Sequence, residues 1–143
     1  MSSEIIMAKS KQVDEQEQQQ AQQELMFKLQ MFEQQAQQIQ QQLQAVERAI
    51  VELSSLSFGL DELKGSEGKE IMSPVGQGIF AKTKLLSEDL VVDVGGKNFV
   101  KKNIPETKEL IKEQIKKLED VKKDLENNMD MLRDELERVM GRK

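Results

Sequence analysis

The stretch VGQGIFAKTKLL, residues 75–86, decides how the chain is read. On either side of it apolar residues recur every three or four positions; within it they alternate. Ile79, Ala81, Thr83 and Leu85 fall on one face and Phe80, Lys82, Lys84 and Leu86 on the other, the period of a strand. The alternation resumes with Leu90, Val92 and Val94 set against Val91 and Asp93. Turn compositions at Gly76-Gln77-Gly78, Ser87-Glu88-Asp89 and Gly95-Gly96 divide the region into four short strands, near 70–75, 78–86, 89–94 and 97–102. Two hairpins are expected.

Isolated hairpins are marginal in water and leave unpaired edges. The simplest remedy is that several chains pool their hairpins into one closed barrel. Val75, Ile79, Phe80, Ala81 and Leu85 of the first hairpin, with Leu90, Val92, Val94 and Phe99 of the second, are the expected assembly residues.

Outward from this centre the period lengthens. Upstream, Leu25, Leu29, Phe32, Ala36, Ile39, Leu43, Val46, Ile50 and Leu53 step by four and three, reaching Ser57 and Leu60. Such a heptad seam, with Leu29 at a and Phe32 at d, keeps one stripe facing a partner helix. Downstream the same rhythm runs through Ile111, Ile115, Leu118, Lys122, Leu125, Met129, Leu132, Leu136 and Val139. Lys122 interrupts it, and two readings stand: a polar a position that fixes register, or a stem laid on the seam with its ammonium in water. Pro105 and Glu106 suit the start of this second helix.

The seams have equal spans from the centre, so folding back would set Leu29 near Val139 in an arm roughly 50 Å long. Residues 1–24 then have no partner; QVDEQEQQQAQQ has helix propensity but no stripe to bury, so it is expected to fray or persist as a solvated helical extension. The fold class is therefore α+β: a long antiparallel two-helix coiled coil with two β-hairpins inserted at its base, the hairpins pooled into an oligomeric barrel. Helix 1 is expected over 25–64, the hairpins over 70–102 and helix 2 over 105–141, in a single domain.

Composition narrows the function. Apolar residues make up 37% and aromatics 3%, which describes a thin core. A net charge of −5 sets the field against nucleic acid and anionic membrane. With no Cys and no His, thiolate chemistry and the usual zinc ligand and general base are missing, so no catalytic site, metal or cofactor is expected. GQGIFA at Gly76–Ala81 matches a relaxed dinucleotide motif but lies between strands instead of opening a helix. Lys116, Lys117, Lys122 and Lys123 alternate with acids and read as a solvated helix face. No apolar run approaches the roughly 18 residues of a membrane span, and a cytoplasmic protein is expected.

A long helix, paired hairpins carrying SPVGQGIFAKTKLLSEDLVVDVGGKNFVKK, and a return helix beginning NIPETKELIKEQIKKLED resemble the alpha-type subunits of prefoldin. The P-x-G-x-G run from Pro74 to Gly78, followed by apolar Ile79, and the presence of two hairpins carry the resemblance. It implies a hexamer of two alpha-type and four beta-type subunits, a double β-barrel platform, and arm tips that hold unfolded polypeptide and pass it, without ATP, to a group II chaperonin. The alternative is a coiled-coil scaffold or filament that assembles through its hairpins and has no client.

A holdase needs exposed, adaptable apolar surface. Phe27 at f and Met31 at c stand one helical turn apart on an outward face, where polar residues are expected. Met131 falls at c and Met140 at e of the second helix, Met26 at e of the first, and Met129 on the seam. Methionine repacks against varied partners, which makes these five methionines, with Phe27, candidate client contacts. The ordinary alternative is that Met129 and Met26 pack the splayed end of the coil. Ile5 and Ile6, in EIIM, form a second candidate patch.

Overall fold

The computed structural model describes residues 2–141. Its elements run α1 (Ser2–Leu63), β1 (Glu70–Gly76), β2 (Ile79–Lys84), β3 (Leu90–Asp93), β4 (Phe99–Lys102) and α2 (Ile104–Val139). Two long helices flank two small antiparallel hairpins, β1 with β2 and β3 with β4, and the hairpins share no ladder.

Helix α1 continues through residues 2–24 instead of fraying. The segment is rich in Gln and Glu and holds neither Pro nor Gly, and lengthening a helix already nucleated is far easier than starting one. The expected lack of a buried stripe holds, since every side chain from residue 3 to residue 28 is exposed. Leu25, in step with the seam, is therefore 37% exposed, and partial burial starts at Leu29.

The chain falls into two units, one comprising Met1–Gln44 with Lys123–Lys143 and the other Ala45–Lys122. In the first, Leu29, Phe32, Ala36, Ile39 and Leu43 of α1 and Leu125, Met129, Leu132, Leu136 and Val139 of α2 are half-buried, while the residues between them are exposed. That is the four-three seam of the sequence. Its packing is loose: Leu29, Phe32, Ala36, Met129, Leu132 and Leu136 line a groove of about 310 Å³.

The second unit holds the tighter packing. Leu60, Ile104 and Ile111 are buried, and Leu53, Leu63, Leu90 and Ile115 pack around them. Leu90 thus fastens the second hairpin onto the helices. Lys122 is half-buried on the seam, and its ammonium lies 3.7 Å from a Glu47 carboxylate oxygen on α1, so the charge meets a partner as well as water.

Both helix junctions are capped by side chains. Asn103 Oδ1 accepts the Glu106 N–H at 2.8 Å, and buried Thr107 donates its hydroxyl to the Asn103 carbonyl at 2.8 Å. Pro105 sits in the first turn, where its lack of an N–H leaves no bond unmade. At the end of α1, Ser66 donates its hydroxyl to the Glu62 carbonyl at 3.0 Å; Gly65 takes φ +73°, and its N–H donates to the Glu88 carboxylate at 2.7 Å.

That bond explains why the strands end sooner than the alternation suggests. Leu85 still exchanges backbone bonds with Gly68 and Lys69, but Ser87 Oγ accepts the Asp89 N–H, and the connection is committed to Gly65. The turn between β1 and β2 has Gln77 at φ 49° and Gly78 at φ 78°, the paired positive values of a type I′ turn. Strand β4 starts only at Phe99 because residues 95–98 form the second turn, closed by the Asn98 N–H on the Gly95 carbonyl at 3.1 Å.

Candidate interaction surfaces

The hairpins present one covered and one open face. In β1 and β2, Ile71, Ser73, Ala81 and Thr83 are half-buried, and the Ser73 and Thr83 hydroxyls share a hydrogen bond of 2.6 Å. The opposite side is open, with Phe80 at 56% exposure. Of the expected assembly residues, Val75, Ile79, Phe80, Val94 and Phe99 are exposed apolar side chains. Ala81, Leu85, Leu90 and Val92 are half-buried, and Leu90 packs on the chain's own core; these four belong to the covered side. Met72, Leu86, Val91 and Val100 are also exposed, although the alternation alone does not single them out as assembly residues. The pleat held the signal for two of them: Met72 lies on the Phe80 side, and Val91 is two residues from Asp93, the register partner of Phe99.

The unit containing the chain's first 44 residues carries a second exposed set. Phe27 and Met31 come together with Phe32 and Gln35 of α1 and with Glu135 and Val139 of α2, lining a shallow groove of about 250 Å³. Phe27 is 64% exposed and Met31 42%. Met129 lies instead in the seam groove beside Leu29 and Phe32. Met26, Met131 and Met140 are exposed but do not line the Phe27 groove. Ile5 and Ile6 are exposed on α1, about 30 Å along the helix from Phe27 at 1.5 Å per residue.

Electrostatics mark the junction between the helices. Lys108 Nζ donates to Asp61 Oδ1 at 2.6 Å, with Lys64 4.0 Å from the same oxygen. The hydrogen bond from Lys108, more than its charge or that of Lys64, holds the Asp61 carboxyl below the usual carboxylate range against the opposing effect of burial. Among the described residues, no helix is long and apolar enough to cross a membrane.

Two long helices joined through a pair of hairpins with exposed apolar faces define an α+β protein of the hairpin-bearing coiled-coil class. The chain belongs to the prefoldin family: the model of that family, described as Prefoldin subunit, matches residues 32–141. The chain is 35% identical over 124 residues to the Prefoldin subunit alpha of Methanobrevibacter smithii, covering 86% of this chain and 80% of that relative. It is 27% identical over 68 residues to the Prefoldin subunit alpha of Methanosphaera stadtmanae, covering 48% of this chain and 49% of the relative. A chain of the filamentous PFD of Methanocaldococcus jannaschii, solved by cryo-electron microscopy, superposes with a TM-score of 0.73 at 23% identity. That superposition covers 80% of this chain and 96% of the other and shows a common fold. Membership of the family implies assembly with other prefoldin subunits.

Proposed function

We propose that this chain is the alpha-type subunit of an ATP-independent holdase, a hexamer in which two copies join four beta-type subunits. Exposed apolar faces on both hairpins are the surfaces through which it assembles. Unfolded polypeptide is held at the helix ends and handed to a group II chaperonin, in the cytoplasm. The observation that carries the reading is the groove in which Phe27 and Met31 of α1 stand exposed beside Val139 of α2. An aromatic ring and an unbranched thioether set off the seam and open to solvent suit clients of varied sequence. Each such patch binds weakly, and several arms sharing one cavity raise the effective concentration.

The test is Phe27→Ser combined with Met31→Ser in the assembled complex. Suppression of client aggregation should fall several-fold with helicity preserved; unchanged suppression removes these residues from the client surface. A filament built through the hairpins is the second reading, favoured by the relation to a filamentous PFD. Large homopolymers that do not yield to a beta-type partner would move it to the front.

A further inference from the structure

Methionine is unevenly distributed along the chain. Of the eight methionines, only Met72 lies outside the unit formed by Met1–Gln44 and Lys123–Lys143. The chain has no Cys, His, Trp or Tyr, so methionine is its only readily oxidised side chain. Met7, Met26, Met31, Met131 and Met140 are exposed, whereas Met129 is half-buried in the seam groove beside Leu29 and Phe32. An oxidant in the surrounding water reaches those five more readily than the seam.

Among the exposed five, Met31 is the one that lines the groove of about 250 Å³ beside Phe27. The apolar part of that lining is Phe27, Met31, Phe32 and Val139, set among Lys28, Gln35 and Glu135. Phe32 and Val139 also serve the seam, which leaves Phe27 and Met31 as the pair free to meet a client. At 42% exposure Met31 is open to a small peroxide while still forming part of the apolar wall. Two-electron oxidation by a hydroperoxide forms a sulfur–oxygen bond as the O–O bond breaks; the thioether becomes a sulfoxide and the peroxide is reduced to water or an alcohol. The sulfoxide is polar, and covering it with an apolar segment strips its hydrogen bonds to water.

We propose that Met31 is an oxidation-controlled modification site: as a thioether it completes the client groove, and as a sulfoxide it releases the client. The inference rests on the reading of the Phe27 groove as a client surface and adds its regulation. Met31 lies off the seam, so conversion leaves the helix pairing in place. A thiol-dependent sulfoxide reductase restores the thioether, two thiols passing to a disulfide as the oxygen leaves in water. Met72 lies on the Phe80 side of the first hairpin, the face proposed for assembly, so the assembled complex shelters it.

The test treats the assembled complex with hydrogen peroxide, maps sulfoxide by peptide mass spectrometry, and compares suppression of client aggregation before and after. Suppression should fall several-fold in step with conversion of Met31, with helicity and complex mass unchanged, and should return after treatment with the reductase. The Met31→Leu complex, measured against its own untreated value, should lose a much smaller fraction. Oxidation of other methionines and of the partner subunits is common to both complexes, so the difference isolates Met31. Met31→Gln, polar and of similar length, should show the loss without oxidant. Equal fractional losses in parent and Met31→Leu, full suppression by Met31→Gln, a Met31 that stays reduced while Met26 and Met131 convert, or a loss that tracks dissociation of the complex each overturn the proposal. Phe27→Ser with Met31→Ser separates the two readings. If that variant holds clients as the parent does, the client groove itself falls; if it loses holding while the parent stays active with Met31 converted, the groove stands and the switch falls.

Discussion

Asp61 and Lys108 are the residues at which the end of α1 and the start of α2 are held by charge. Their 2.6 Å contact is exposed, so solvent screens it and its contribution to stability is small. Its pH dependence still has a definite sign. A carboxyl whose folded pKa lies below the ordinary 3.8 stabilises fully above that value and loses the contribution as pH falls through the lowered one. Lys108→Met should therefore be less stable than the parent at neutral pH, and the gap should close in acid below about 3.8. Urea melts across that range measure it; a gap that persists in stronger acid would assign the effect to packing of the lysine stem.

Among the elements, α2 depends on its cap and α1 on its length. Asn103 satisfies one of the N–H groups that the first turn leaves without helical partners, and Asn103→Ala should destabilise the fold by about 1 kcal/mol in denaturant melts. Residues 3–24 are exposed, so deleting the segment before Leu25 should reduce helical ellipticity while leaving the main unfolding midpoint in place. A marked fall in the midpoint would mean that the segment packs against something.

The elements also show what the sequence made legible. Both seams were readable because burial against a partner helix imposes a period, and Leu29, Phe32, Leu132 and Leu136 follow it. The first 24 residues were ambiguous, since propensity without burial leaves no stripe. Alternation in the hairpins showed that the faces differ but not which one the helices cover. The contact of Leu90 with the Leu60, Ile104 and Ile111 cluster decides that, and it moves Leu90 off the open side. Strand ends were blurred for a related reason: the Glu88 bond to Gly65 spans 23 residues, and no local pattern announces it. Phe27 and Met31 were legible as outward residues, whereas their partner Val139 looked like seam alone.

At the scale of the whole molecule, the chain buries little by itself. Leu60, Ile104 and Ile111 are its only buried apolar residues among those described, while Met72, Phe80, Leu86, Val91 and Phe99 of the hairpin region face solvent. Two-stranded sheets are rarely stable alone, and an apolar face on each invites pairing with other chains. Family membership supplies the kind of partner, another prefoldin subunit. Assembly through the hairpins is the claim on which client holding depends, since one arm offers only a shallow groove. Native mass spectrometry of this chain mixed with a beta-type prefoldin subunit tests it most directly. A hexamer containing two copies of this chain is expected, abolished by Phe80→Ser with Phe99→Ser; homopolymers with no mixed species would overturn assembly through the hairpins.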